Sequence, residues 1–278
     1  MRNVQVNYEE VCRRIRKDIL TMIHHAGSGH PGGSLSAVEL MVGLYFQVMN
    51  HDPQNPQWPG RDRFILSKGH AAPVVYSVLA RSGYFPPETL PTLRKLGSIL
   101  QGHPHMQKVP GLDSSSGSLG QGLSIANGLA LAAKMRGQDY RVYCLLGDGE
   151  LQEGQVWEAV MTAAHHGLDN VCAIVDFNKV QLDGTLDEIK GIDPLVDKWK
   201  AFNWHVVEID GHNMKEVLAA YDEAAQTKGR PTVIVAHTVK GKGVSFMEGK
   251  ADWHGQAPNA QQLEAALREL DATLEETA

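Results

Sequence analysis

Paired cysteines, a basic excess and long apolar runs are all missing from this 278-residue chain. Its three cysteines, Cys12, Cys144 and Cys172, form no Cys-x-x-Cys pair and leave an odd count, which argues against a disulfide framework. Cys144 and Cys172 fall inside apolar strand-like runs and read as buried free thiols, as suits a reducing cytoplasm. Lys and Arg number 26 against 32 Asp and Glu, giving a formal net charge of −6 and a pI near 6.1. No basic footprint therefore points to nucleic acid. No run approaches the roughly 20 apolar residues that a membrane helix requires, and Met1 to Glu10 holds no apolar signal core. Cytoplasmic localisation, without membrane or nucleic-acid partners, is the expectation. No Pro/Ser-rich linker, charge block or internal repeat divides the sequence, so one domain over 1–278 is expected. At 42% hydrophobic and 21% charged, the chain suffices for one large core.

Against that plain background one segment carries chemistry. Two apolar runs, Val142 to Leu146 and Val171 to Val175, each end in a polar loop. The first loop presents Asp148 between Gly147 and Gly149, and the second presents Asn178, 30 positions on (178 − 148). A helical pattern from Gln155 to His166 separates the runs, so the unit reads β-α-β. That topology puts both loops at the carboxyl edge of a parallel sheet, where α/β ligands bind. A carboxylate, an amide oxygen and glycine backbone are what an octahedral Mg²⁺ needs when it also holds a diphosphate.

The remaining pattern is consistent with an α/β fold, a parallel sheet flanked by helices. Helices are expected at Tyr8 to His25, from Ser34 or Ser36 to Met49, at Ala71 to Ser82, from Pro86 and Pro87 to Leu96, and at Leu119 to Met135. Further helices follow at Pro194 to Phe202, Met214 to Thr227 and Ala260 to Glu276. Strands are expected at Arg63 to Ser67, His205 to Ile209 and Thr232 to Ala236. Residues 98–118 and 178–192 read as loops, and Lys240 to Pro258 as an irregular tail. A long loop inside a compact domain is usually functional or disordered.

Four histidines sit in glycine- or proline-bordered loops and not on helix faces: His30, His70, His103 and His254. Small neighbours clear space around an imidazole, which polarises carbonyls, stabilises alkoxides or shuttles protons near neutral pH. His24, His25, His165 and His166 end helices, where a cation suits the dipole. His105, His205, His212 and His237 read as structural, although Asp210-Gly211-His212 also suits a loop lining the site.

Gly147-Asp148-Gly149 with Asn178 resembles the thiamine diphosphate motif, and Gly-Asp-Gly-Glu-Leu-Gln-Glu-Gly over 147–154 resembles transketolase in particular. The four loop histidines match transketolase motifs in order. The resemblance implies a thiamine diphosphate-binding fold. It also implies thiamine diphosphate with Mg²⁺ (Ca²⁺ or Mn²⁺ substituting) held by Asp148, Asn178 and the Val180 carbonyl. His30, His70, His103 and His254 take catalytic positions. Contacts to the cofactor are implied for His70, Gly117, Leu119, Gly149, Glu153, Asn178 and His254. Ser118 stands where many members have proline. Glu153 matches a glutamate between two active sites; read alone, it is a first-turn glutamate favoured by the helix dipole.

The resemblance covers nearly the whole chain but only the first third to half of a full-length transketolase. The pyrimidine-binding domain, with its activating glutamate, and the residues that grip the sugar phosphate lie outside it. The polar end, Leu-Glu-Glu-Thr-Ala, reads as a natural one. The chain is thus expected to be the N-terminal subunit of a split transketolase in an α2β2 heterotetramer, moving a two-carbon ketol unit between sugar phosphates. Alternatives are a subunit of another thiamine diphosphate enzyme, deoxyxylulose-phosphate synthase-like or 2-oxo acid dehydrogenase α-like, or a non-catalytic partner. A nucleotide-binding oxidoreductase fits poorly, since no Gly-x-Gly-x-x-Gly follows the first strand. The sequence leaves the sugars open, pentose phosphates and unusual ketoses alike.

Overall fold

Strands buried on both faces have no polar side to show, and the two apolar runs at the centre of the sequence are of that kind. The computed structural model describes residues 6–272. Seven strands are present among them: β1 Arg63–Leu66, β2 Val142–Gly147, β3 Val171–Phe177, β4 Val180–Gln181, β5 Gly184–Thr185, β6 His205–Asp210 and β7 Thr232–His237. Five form one parallel sheet in the order β1-β2-β3-β7-β6. All seven residues of β3 are buried. The helices are α1 Tyr8–Ala26, α2 Pro31–Leu35, α3 Val38–Gly43, α4 Ala72–Arg81, α5 Gly122–Met135, α6 Gly154–His165, α7 Leu186–Ile189, α8 Leu195–Ala201, α9 Met214–Gln226 and α10 Ala260–Ala272.

Alternation along the strands divides the core. Tyr143, Leu145, Cys172, Ile174 and Ile234 face a cluster built with α1, α3, α4, α9 and α10. Val142, Cys144, Leu146, Ala173, Val175 and Val233 face one built with α5, α6 and α8. All three cysteines are free and buried; Cys144 and Cys172 were read so from the sequence, and Cys12 joins them in the structure. No helix among the described residues is long and apolar enough to cross a membrane.

Helix α1 shows how local chemistry sets an element. Asn7 caps it by accepting from the Glu10 N–H at 3.1 Å, and Gly27, in the left-handed region, ends it. Ile15, Ile19, Leu20 and Ile23 form its buried stripe.

Four expectations need correction. The helix expected from Ser34 or Ser36 to Met49 is broken into α2, α3 and a π-helical turn at Leu44–Val48. Serine hydroxyls cause the break: Ser34 bonds the His30 carbonyl, and Ser36 turns to Asp176 of β3 at 2.5 Å. The helix expected from Leu119 begins only at Gly122, because the Gly120 and Gly122 amides donate to Glu150 and Ser67. The segment before Leu96 is a 3₁₀ turn, Pro87–Thr92, since Pro91 inside it withholds a donor. The loop at 178–192 contains the β4–β5 hairpin and α7, the latter opened by a Thr185/Glu188 capping box. The hairpin's two-residue turn is Leu182-Asp183, with Leu182 at a positive φ of 41° and Gly184 paired with Gln181. The last residues of the final expected helix, 273–276, lie outside the described residues.

Candidate functional site

All parallel strands point one way, so the ends of β1, β2, β3 and β7 deliver their loops to one edge. The floor lies after β2 and β3. Asp148, 3% exposed, accepts from the Gly149 N–H at 2.7 Å and the Lys179 N–H at 2.6 Å. Burial and the nearby Asp176 charge push its carboxyl up to about 6, against the pull of those amides and Lys68. Asn178 is oriented by two bonds: its Nδ2 donates to Asp176 at 3.2 Å, and its Oδ1 accepts from the Val180 N–H at 3.1 Å. Among the described residues no group of three or more His, Cys, Asp or Glu suits a metal. A cation here would draw on one carboxylate, one amide oxygen and one carbonyl, a hard-oxygen set that leaves positions for an anionic ligand's own oxygens. An under-compensated buried carboxylate fits that demand.

Behind the floor stands a pair that sequence reasoning missed. Asp176, fully buried at the end of β3, accepts from Lys68 Nζ, Ser36 Oγ, Thr238 Oγ1 and Asn178 Nδ2. Burial raises its carboxyl, but Lys68 and the two hydroxyls outweigh that and hold it below the usual range. Lys68, 1% exposed, also donates to the Gly33 carbonyl at 2.8 Å. The hub thus ties the His30 and His70 loops to the floor. Its signal was an acid inside an apolar strand and a lysine within Ser67-Lys68-Gly69-His70. Asp176→Ala leaves the Lys68 ammonium buried and unpaired, an expected loss of about 3–5 kcal/mol of stability. Urea denaturation checks it, and a loss under about 1 kcal/mol would count against the pair as an anchor.

Above the floor the four loop imidazoles converge. Ring centroids lie 5.3 Å apart for His30 and His70, 5.4 Å for His30 and His254, 5.2 Å for His70 and His254, and 6.5 Å for His30 and His103. Burial and neighbouring cations push His30 and His254 down to about 4, and His70 well below its ordinary value. His103, at the exposed rim, is lowered by burial and by Arg94. These rings are neutral at pH 7. His30 Nδ1 and Ser116 Oγ are buried without a hydrogen-bond partner among the described residues. Such orphaned polar atoms invite a ligand.

Lys240, 2% exposed, reaches in from the segment after β7, and sequence reasoning passed over it in Lys240-Gly-Lys-Gly. Its Nζ donates to the Val180 carbonyl at 2.9 Å and to His254 Nδ1 at 3.0 Å. Burial lowers its ammonium to about 8, opposed by Asp148. That bond places the proton of neutral His254 on Nε2. His212 latches the same segment: its Nε2 accepts from the Val239 N–H at 2.8 Å, so its Nδ1 carries the proton and donates to Glu39 at 2.9 Å. Arg16 closes the arrangement on Glu39 (2.6 Å) and the Lys242 carbonyl (3.0 Å). The structural reading of His212 and its placement near the site are therefore compatible.

The 116–122 loop forms one wall. A Cβ at Gly69 would stand 2.7 Å from Ser116 Oγ and 2.8 Å from the Gly117 nitrogen, so only glycine permits that approach. Gly117 and Ser118 are exposed, and Leu119 is half-buried. Glu150 is buried and accepts from Ser67 Oγ, the Gly120 N–H at 2.8 Å and the Gly147 N–H at 3.0 Å. Glu153 stands apart from the imidazoles: it is exposed at the N-cap of α6, beside Gly120.

Fold and floor together define a parallel α/β domain with a polar floor of Asp148, Asn178 and the Val180 carbonyl beneath a cluster of neutral imidazoles. Residues 8–275 match the family described as transketolase, thiamine diphosphate binding domain, and the chain belongs to that family. It is 46% identical to a 6-deoxy-6-sulfo-D-fructose transketolase subunit of Clostridium sp. (strain MSTE9), covering 98% of each chain. It is 42% identical to an apulose-4-phosphate transketolase subunit of Phocaeicola vulgatus, covering 94% of this chain and 92% of that one. Among solved structures, a transketolase from Campylobacter jejuni superposes with a TM-score of 0.91 at 33% identity. That match covers 97% of this chain but only 43% of the solved one.

Proposed function

We propose that this chain is the diphosphate-binding subunit of a two-chain transketolase. It works in the cytoplasm with a second subunit carrying the pyrimidine-binding domain, in an α2β2 assembly. The reaction is reversible transfer of a two-carbon ketol unit from a ketose phosphate to an aldose phosphate. The observation that carries this reading is the convergence of His30, His70, His103 and His254 above the Asp148, Asn178 and Val180 floor. Two relatives matching this chain almost end to end are transketolase subunits, one named for a sulfo-fructose and the other for apulose 4-phosphate.

Asp148, Asn178 Oδ1 and the Val180 carbonyl would hold Mg²⁺, with Gly149 giving backbone room for the diphosphate. When bound, thiamine diphosphate supplies a nucleophilic carbon and an electron sink for breaking a ketose carbon–carbon bond. The chain's residues orient the sugar and move its protons. His254, neutral with its proton on Nε2, donates toward a substrate oxygen. His30 is kept neutral by burial and by cations nearby, so its unpartnered Nδ1 is ready to exchange a proton with a hydroxyl. His103 serves the outer hydroxyls from the rim. His70, Leu119 and the Gly117 backbone pack beside the cofactor, and Glu153 faces outward toward a neighbouring chain.

Donor choice tests the reading. The chain purified with its second subunit is expected to consume a ketose phosphate in the presence of an aldose phosphate and to leave pyruvate untouched. Turnover of pyruvate would favour the deoxyxylulose-phosphate synthase-like or oxo acid dehydrogenase-like alternative.

A further inference from the structure

One cation beside the imidazoles has no acid to balance it among the described residues. Arg94 follows the Pro87–Thr92 turn with φ at 59°, a left-handed backbone held by its N–H bond to the Leu100 carbonyl at 2.8 Å. That conformation returns its exposed side chain toward the histidine loops. Its Nη1 lies 3.1 Å from Ser28 Oγ, two residues before His30. Its guanidinium also packs on Gly102, one residue before His103: a Cβ there would stand 3.0 Å from Nε, 3.2 Å from Cζ and 3.3 Å from Nη2. It thus bridges the His30 and His103 loops on their solvent side.

No ion pair joins Arg94 to a carboxylate among the described residues; of the two lysines deeper in the pocket, Lys68 is neutralised by Asp176 and Lys240 is committed to the Val180 carbonyl and His254. A guanidinium carries five N–H donors in a planar fork, and the Ser28 bond occupies one of them. The remaining fork suits a tetrahedral oxyanion in bidentate contact. On a chain of net charge −6, an uncompensated cation at the mouth of the pocket is a local exception that draws anions.

We propose that Arg94 is this chain's own subsite for the terminal oxyanion, phosphate or sulfonate, of an acyclic sugar whose carbonyl end lies among the imidazoles. The proposal rests on the transketolase reading and deepens it. The phosphate-gripping residues implied by the family resemblance lie outside this chain, so Arg94 makes anion recognition a shared task of both subunits. It also acts differentially, since a substrate without the charged tail gains nothing from it.

The test is an acceptor series on the complex of the chain with its second subunit, comparing wild type with Arg94→Gln and Arg94→Lys. The acceptors are glyceraldehyde 3-phosphate, its sulfonate analogue 2-hydroxy-3-sulfopropanal, and uncharged glyceraldehyde. Arg94→Gln is expected to raise KM for a charged acceptor roughly 10–100-fold, the scale of a lost charge-assisted hydrogen bond. It should lower kcat/KM for glyceraldehyde far less than for either charged acceptor, and Arg94→Lys should recover part of the loss. Loss confined to the phosphate assigns a phosphate ester, loss confined to the sulfonate assigns a sulfo-sugar, and loss on both assigns a general oxyanion subsite. Equal losses on all three would overturn the proposal and leave Arg94 as a loop brace, and no loss on any would overturn it outright. Wild-type complex inactive toward every acceptor would overturn the transketolase reading itself, and this proposal with it.

Discussion

Asp148→Asn in the assembled enzyme is expected to lower magnesium-dependent thiamine diphosphate affinity by at least about 100-fold, the scale at which losing even an outer-sphere partner begins to cost a metal site. The substitution keeps the size of the side chain but removes the only carboxylate among the three proposed ligands. Titration calorimetry with cofactor, with and without Mg²⁺, reads the effect. Unchanged affinity would falsify the metal assignment.

The same variant carries an opposite signature in the free chain. Burial and Asp176 hold the Asp148 carboxyl up at about 6, above its ordinary 3.8. A carboxyl raised on folding favours the folded state while protonated, and that advantage disappears as pH rises through its folded value. Wild type is therefore increasingly penalised as pH rises from about 4, and fully so above about pH 6, by the charge assigned to the proposed metal. Relative to wild type, Asp148→Asn is expected to gain on the order of 2 kcal/mol of stability between about pH 4.5 and 7. Urea midpoints at both pH values measure the difference. A variant that tracks wild type across that range would show that the carboxylate is already compensated.

The second large effect concerns the chain by itself. The isolated subunit is expected to show no appreciable ketol transfer, and the second subunit is expected to restore it. His103, Arg94, Gly117 and Ser118 are exposed in this structure, so the pocket has an open side. Neutral imidazoles hold and pass protons, but the family resemblance places the glutamate that activates the cofactor in the other domain. A missing acid–base partner alone withdraws on the order of 10²–10⁴ in rate, and an open pocket admits water. Full activity of the purified chain would refute the two-subunit reading.

Much of the fold was legible because its central strands are buried on both faces. The runs 142–146 and 171–175 have no polar alternation, so they read as parallel strands without further help, and they fix where Asp148 and Asn178 emerge. The histidine cluster was legible as residue types in loops, but its convergence was not. His30, His70, His103 and His254 span most of the chain, and only the sheet order brings the rings of His30, His70 and His254 within 5.4 Å of one another and that of His103 to 6.5 Å from His30. What escaped was tertiary. Ser36 interrupts a helix for the sake of an acid 140 positions away, and helical periodicity holds no trace of that bond. Lys68 and Lys240 drew no functional reading, because sequence does not report that their heads are buried. His212 looked like either a loop residue or a structural one, and its two ring nitrogens make it both.

Glu150 has a practical implication for remodelling this scaffold. One carboxylate seats the amides of Gly120 and Gly147 and, through Ser67, the start of α5. Within the loop that runs from His103 to the 116–122 wall, new side chains can therefore be grafted at exposed positions to redirect substrate choice, provided the amides of Gly120 and Gly122 still meet Glu150 and Ser67. A graft that shifts either glycine by one position would unseat α5 from the sheet, and would forfeit the framework along with the specificity it was meant to alter.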